Sequence, residues 1–310
     1  PAGKEGVAAL TAAMLARGGS KQSSYSQILE KMYPMAAVVG DQTDQEMLTI
    51  VGMTHLDNLE GYYATLREML LQPGWRAEDL KRLRDDQLTF LRVSLRQNND
   101  EELGKEVLYN LLQGTAHPVG RVSSLEKLTL ADLRLFYKQH LTQANLTIAI
   151  AGKYPEGFVE RVKKDFGQLP VGKAAAVKRA VPKPIAQTRV TIVKKPTLAV
   201  AYSLGFPIAV TRSHPDFAAL LVANTWFGPH RSSAGNLYQR MREIRGLNYG
   251  DYSYIEYFPR GMDQFEPDPN LARRQQIFQM WIRPVEPKTA HFALRLALHE
   301  LDRLLDKGLT

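Results

Sequence analysis

Apolar residues recur along this chain in two alternating periods, and the order of those periods repeats. An apolar run over residues 6–17 predicts an amphipathic helix, followed by a polar loop at 18–23 and a second helix at 24–33. Short strand-like runs at 35–40 and 46–53 flank a turn at 41–45. Leu59, Tyr62, Tyr63, Leu66 and Leu70 then keep helical spacing and predict a helix over 56–71. The same succession returns later: a helix at 214–226, a loop at 228–233, a helix at 234–245, strands at 248–258 and 275–282, and a helix at 287–305. The stripe of that last helix is Phe292, Leu296, Leu301 and Leu304. Even the loops register, because Gly18 and Ser23 stand 210 residues before Gly228 and Ser233. Shared element order with little shared identity is the mark of an old duplication.

Between the copies lie helical patterns at 77–96, 101–112 and 130–140, a strand at 145–151 and a helix at 157–166. The stretch 169–186 is rich in Pro, Ala and Lys without apolar period and reads as a linker. The expected fold class is α+β, with two similar domains, each an antiparallel-rich sheet with helices packed on one face. The expected domains are 1–168 and 187–310, joined by 169–186. Both ends look cut, so N-terminal strands of the first domain and the C-terminal part of the second are expected outside this sequence.

Composition narrows the classes. Single cores rarely grow beyond about 250–300 residues, so 310 residues with 44% hydrophobic content favour two. The apolar stretches at 146–152 and 198–206 are too short to span a bilayer. The absence of cysteine excludes disulfides, thiolate metal sites and a Cys nucleophile. It names no compartment, and a periplasmic location is the favoured expectation. The net charge of +8 is concentrated in residues 153–195, where eleven Lys and Arg face only Glu156, Glu160 and Asp165. Without interleaved aromatics this reads as a solvated connector, and nucleic acid is not an expected partner.

Residues that carry chemistry are scarce. The seven histidines are His55, His117, His140, His214, His230, His291 and His299, and no two share a helix turn. His291 and His299 share a helix but stand two turns apart, about 12 Å. They read as surface or loop residues. The sequence has no Gly-x-Ser-x-Gly elbow and no phosphate loop, and Gly18-Gly19-Ser20 and Gly228-Pro229 lack a preceding strand. The acids Asp85-Asp86 and Asp100-Glu101-Glu102 read as polar helix faces and caps.

The run from His117 through Pro118, Val119 and Gly120 to Arg121 opens a series of segments. LEKLTLADLRLFY (125–137), LTIAIAG (146–152), FGQLP (166–170) and LYQRMREIRGLNY (237–249) follow in order. The series covers nearly the whole chain and resembles the insulinase/pitrilysin-type zinc peptidases, including their two-subunit branch, to which the mitochondrial processing peptidase belongs. Active members carry H-x-x-E-H on the first helix, with two His on zinc and a Glu that activates water. The resemblance places those positions on Ala9, Ala12 and Ala13, and the family's third ligand, a Glu, near Leu91 or Arg92. Alanine neither coordinates zinc nor moves a proton, so no metal and no cofactor is expected. The alanines are expected to face the wall of a cleft.

The resemblance also implies a role for Arg242 and Tyr249, which match an Arg and Tyr seven residues apart that steady the substrate carbonyl and its oxyanion in active relatives. Read from the residues alone, they are an Arg near a helix C-terminus and a core tyrosine on a strand. Both readings stay open. The loop 228–235 occupies the place of a glycine-rich substrate loop in the non-catalytic processing subunit, yet only two of its eight residues are glycine. The insert 259–274 has no assigned role. The implied function is a non-catalytic subunit, inactive alone, that binds peptide and donates Arg242 and Tyr249 to a zinc-bearing homologous subunit or within a self-dimer. The alternative is a peptidase-like scaffold or peptide-binding protein without proteolytic role, as in respiratory-complex core subunits.

Overall fold

The computed structural model describes residues 3–174, 185–261, 263–268 and 275–309. Its first helices are α1 (Val7–Arg17) and α2 (Tyr25–Met32), followed by strands β1 (Val38–Thr43) and β2 (Leu48–Met53). Helices α3 (Leu59–Leu71), α4 (Ala77–Thr89), α5 (Asp100–Gln113), α6 (Val122–Leu125), α7 (Leu130–His140) and α8 (Phe158–Phe166) come next. Strand β3 (Val200–Ile208) precedes α9 (Phe217–Phe227) and the short α10 (Asn236–Tyr238). Strands β4 (Asn248–Tyr254) and β5 (Gln276–Val285) lead into α11 (Ala290–Lys307). Two π-helical turns continue α4 and α10, at Phe90–Leu95 and Gln239–Glu243. The architecture is α+β, and the order helix, helix, strand, strand, helix occurs twice, from α1 to α3 and from α9 to α11.

These elements gather into two compact units. One draws on residues 1–92 and 116–178, the other on 93–115 and 179–310. Of the linker 169–186, residues 175–184 lie outside the described residues, as do 262 and 269–274 of the insert.

In the first unit, α1 is the central helix, packed by β1, β2, α3, α4 and α7. Nine of its residues are buried, so the amphipathic reading of this run is corrected: a helix apolar on every side belongs inside a core. Local signals set the neighbouring helices. Ser24 begins α2 with a capping box, its hydroxyl accepting from Gln27 N while Gln27 returns a bond to Ser24 N. Thr129 and Asp132 do the same for α7. Strands β1 and β2 pair antiparallel, from Val38 opposite Met53 to Thr43 opposite Leu48. The predicted strand 145–151 belongs to no ladder among the described residues. After a 3-10 turn at Gln143–Asn145 it runs on, with Leu146 and Ile150 packed against the cluster of Tyr63, Phe158, Val162 and Phe166. The alternating pattern signalled a buried side but could not supply a hydrogen-bonding partner.

In the second unit the sheet has the order β3-β5-β4, antiparallel throughout. Alternation along β5 sends Met280 and Ile282 into a core with Phe227, Leu237, Met241, Ala293 and Ala297 from α9, α10 with its π turn, and α11. The intervening residues Gln279, Trp281 and Arg283 form the opposite face. Helix α5 packs there, although its place in the chain suggested the first domain. Side-chain chemistry explains the assignment. Lys105, 1% exposed, pairs with Glu102 and lies 4.5 Å over the Trp281 ring, and Glu101 pairs with Arg283 at 2.8 Å. Tyr109 meets Tyr257 edge-on at 4.5 Å. Gly104 keeps the helix close to β3, since a Cβ there would stand 3.2 Å from Ser203 Oγ. Burial pulls Lys105 below its ordinary pKa, and the Glu102 carboxylate opposes the shift.

Trp281 is buried between these groups and aromatic neighbours. Trp281→Ala is expected to cost about 3–5 kcal/mol, the range for emptying a buried aromatic site. Chemical denaturation of the two proteins, compared at equal pH, measures it.

Candidate functional site

The positions that the resemblance assigns to zinc chemistry lie inside the first unit. Ala9, Ala12 and Ala13 are all buried on α1, the latter two completely, so they belong to the helix's packing rather than to an open cleft wall. Leu91 is buried in the π turn after α4, and Arg92 forms an ion pair with Glu126. At the positions that the resemblance assigns, the donor chemistry does not fit zinc: methyl groups stand at 9, 12 and 13, and Leu91 and Arg92 offer neither a carboxylate nor an imidazole. No group of three or more His, Asp or Glu among the described residues is arranged to hold a metal ion.

The remaining candidates are dispersed. His55 Nδ1 accepts from Asp57 N, His117 Nδ1 from Val119 N and His214 Nδ1 from Asp216 N, His140 lies against Phe136, and His291 and His299 are exposed. His230 differs. Its ring meets Tyr252, Tyr254, Phe258 and Trp281 at 5.1–6.4 Å between centroids, and its Nδ1 shares a 2.6 Å hydrogen bond with the Tyr254 hydroxyl. Burial, reinforced by Arg231 and Arg283, pushes its pKa down to about 4. It therefore stays neutral as part of an aromatic cluster. The acidic runs are structural too: Asp85 pairs with Lys81, Asp100 with Lys195, Glu101 with Arg283 and Glu102 with Lys105. The last two exceed the surface-and-cap reading, because their cations are buried.

Arg242 and Tyr249 are brought together. The π turn Gln239–Glu243 widens the helix, shown by the bond from Ile244 N to Gln239 O at 3.1 Å. Gly246 then takes a left-handed conformation, φ 59°, and its N–H caps Arg242 O at 2.7 Å. The chain reverses there and enters β4, so Tyr249 returns beside Arg242. The guanidinium lies 4.4 Å from the Tyr249 ring and 4.8 Å from the Tyr238 ring, and donates to Tyr249 O at 3.2 Å. Tyr249 is 67% exposed, which overturns its reading as a core tyrosine.

Tyr238 escaped the sequence analysis, although its i,i+4 spacing from Arg242 on one helix was a usable signal. Asp251 escaped it as well. It lies two residues beyond Tyr249 on β4, fully buried, with Asn248 Nδ2 donating to its Oδ1. Burial pushes its carboxyl up to about 7, against the pull of the Asn248 hydrogen bond and the Arg242 charge.

The loop after α9 is pinned rather than open. Gly228 O accepts from Ser253 N at 2.7 Å, and a Cβ on Gly228 would stand 2.9 Å from Leu237 and 3.0 Å from Ser253. Away from these residues, a cavity of about 490 Å³ in the first unit is lined by Lys31, Arg67, Glu68 and Asp165 among others. Its charges already have partners: Arg67 with Asp165, Tyr63 with Asp165, Lys31 with Ser23, and Ser20 with Glu68.

A family model described as the peptidase M16 inactive domain matches residues 127–310. The chain belongs to that insulinase-like family, as the sequence resemblance implied. Among curated proteins it is 29% identical over 217 residues to an uncharacterized zinc protease of Streptomyces coelicolor, covering 68% of this chain and 41% of that protein. It is 23% identical over 241 residues to the uncharacterized zinc protease YmxG of Bacillus subtilis, covering 76% and 57%. The chain thus spans about half the length of these relatives. A crystal structure of a peptidase M16 inactive domain from Pseudomonas fluorescens shares the fold, with TM-score 0.82, 23% identity, and coverage of 99% of this chain and 71% of that one. The periplasmic protease PqqL of Escherichia coli also shares it, with TM-score 0.69, 16% identity, and coverage of 100% and 34%.

Two outcomes follow from this geometry. Restoring Ala9→His, Ala12→Glu and Ala13→His together is expected to cost about 1–3 kcal/mol per site through overpacking, without stoichiometric zinc in the purified protein. Denaturation midpoints and elemental analysis check both. His230 titrates at about 4 in the folded chain, below its ordinary 6.5, so the unfolded chain binds a proton that the folded chain refuses. Its contribution to stability is therefore complete above about 6.5 and lost as pH falls toward 4. His230→Phe should flatten that component of the acid limb in pH-dependent denaturation.

Proposed function

We propose that this chain is the non-catalytic half of a heteromeric zinc peptidase and presents Arg242 and Tyr249 to a peptide held by a zinc-bearing homologous partner. The observation that carries this reading is the half-buried Arg242 guanidinium, held against the Tyr238 ring and the ring of the exposed Tyr249. A cation and a phenol hydroxyl, ordered before any substrate arrives, are the groups that stabilise developing charge on a carbonyl oxygen. Pre-organisation matters because donors already in place need no rearrangement in the transition state. Zinc belongs to the partner in this scheme, since the positions that the resemblance assigns hold alanines and Leu91 or Arg92 in this chain.

A second reading has its own support. The Arg242 guanidinium already donates to Tyr249 O, which suits a structural clamp closing the β4 edge. Under that reading the chain is an inactive peptidase-like scaffold.

The experiment mixes this chain with a zinc-bearing homologue and follows peptide turnover together with complex formation. Tyr249→Phe removes only a hydroxyl, and Arg242→Ala removes the cation. Each is expected to slow turnover about a hundredfold or more, the loss of about 2.7–4 kcal/mol typical of one oxyanion donor. Unchanged turnover by both variants in an intact complex leaves the scaffold reading in its place.

A further inference from the structure

Asp251 and Asn248 each have one polar atom satisfied and one not. Asn248 Nδ2 donates to Asp251 Oδ1 and to Gly250 O. Asp251 Oδ2 and Asn248 Oδ1 are both buried and have no hydrogen-bond partner. Two acceptors in one buried acid–amide pair lack only a proton. A proton on Oδ2 would supply the donor that this buried pair lacks, and a two-bond ring with Asn248 Oδ1 would satisfy both orphan oxygens. Burial of an unpaired carboxylate costs far more than burial of a neutral acid, which favours that proton.

The pair lies at the root of the functional stack. Residues two apart on a strand point to one face, so Asp251 shares its face with Tyr249, one step further into the unit. Asp251 stands opposite Ile282, a member of the apolar core, and the Arg242 charge acts on its carboxyl. Of the other charged groups on the surrounding elements, Glu243 also faces Arg242, and Glu300, Arg240, Arg303 and Arg283 pair away from Asp251. Glu243 lies 3.9 Å from Arg242, Glu300 of α11 holds Arg240 and Arg303, and Arg283 of β5 pairs with Glu101 on the opposite face of the sheet.

We propose that Asp251 is a positioning residue for the Arg242–Tyr249 pair: protonated, it closes the ring with Asn248 and leaves Arg242 on the tyrosine; ionised, it draws Arg242 off the ring. The proposal rests on the reading of that pair as the functional element, but it concerns the free chain and is tested without a partner subunit. Raising pH through neutrality thus dismantles the stack from below. The folded carboxyl titrates at about 7 against an ordinary 3.8, so the folded chain holds a proton that the unfolded chain releases. Between those values this one group makes the unfolding equilibrium constant rise about tenfold per pH unit, and above about 7 its effect is constant.

The test follows the side-chain Nε–H resonance of Arg242 by NMR across pH 5.5–8.5, in the wild-type chain and in Asp251→Asn. Asparagine is neutral and can form the same two bonds with Asn248, so it mimics the protonated acid. In the wild type the Arg242 resonance is expected to titrate with a midpoint near 7, together with the ¹³Cγ resonance of Asp251. In Asp251→Asn the Arg242 resonance stays at its low-pH position, and the pH-dependent loss of stability between 4 and 7 is smaller by one proton. An Arg242 resonance that ignores pH, or titrates identically in the variant, overturns the proposal. If Asp251→Asn does not fold, the wild type still decides, because unequal midpoints for Arg242 and Asp251 also overturn it. Turnover with a zinc-bearing partner is a separate measurement, so failure of donation by Arg242 and Tyr249 is distinguishable from failure of this linkage.

Discussion

The register of β4 against β5 is the constraint on which the second unit depends. Pairing Asp251 with Ile282, Tyr252 with Trp281 and Ser253 with Met280 sorts every side chain of β4 to one face or the other. A slip of one residue would exchange the two sets, moving Tyr252 and Tyr254 into the apolar core and exposing its residues to α5. The register is held from both sides. Met280 and Ile282 are embedded among Phe227, Leu237, Met241, Ala293 and Ala297, while Trp281 is gripped by Lys105 and Arg283. With β4 so fixed, Tyr249 emerges at the strand's beginning, where Gly246 turns it toward Arg242.

The polar layer under α5 is a costly way to cover a sheet. Lys105 gives up its hydration for one carboxylate and one indole face, and ion pairs removed from water recover little net stability. What such a layer supplies is selectivity of docking. An apolar helix would accept many rotations on an apolar sheet, whereas Lys105 of α5 must meet the Trp281 ring and Glu101 must meet Arg283. Chemistry of this kind suits a segment recruited from between two stretches of the other unit.

The same exchange of chemistry for packing appears on α1. At the positions to which the resemblance gives metal chemistry, this helix has small apolar side chains. Alanines at 9, 12 and 13 let five neighbouring elements close around it. A catalytic zinc keeps an open coordination position, which the closely packed alanines of this helix do not provide. Function in this chain, under the reading proposed above, therefore shifts to the edge of β4, where one tyrosine remains exposed.

Much of this was written in local sequence. The helix stripes, the capping boxes at Ser24 and Thr129, the turn at Gly246 and the repeated element order all depend on residues near one another, and local signals carry that information. That Ala9, Ala12 and Ala13 offer no lone pair was equally legible, although it was the resemblance that gave those positions a zinc role. Tertiary structure decided what depends on distant neighbours. It turned α1 from an amphipathic surface helix into a buried one, left 145–151 without a ladder, and set α5 on the second unit's sheet. It also buried Asp251 behind an exposed Tyr249, two residues apart on one strand. Their difference lies in what each meets across the sheet and beneath it, and composition along the chain carries no record of that.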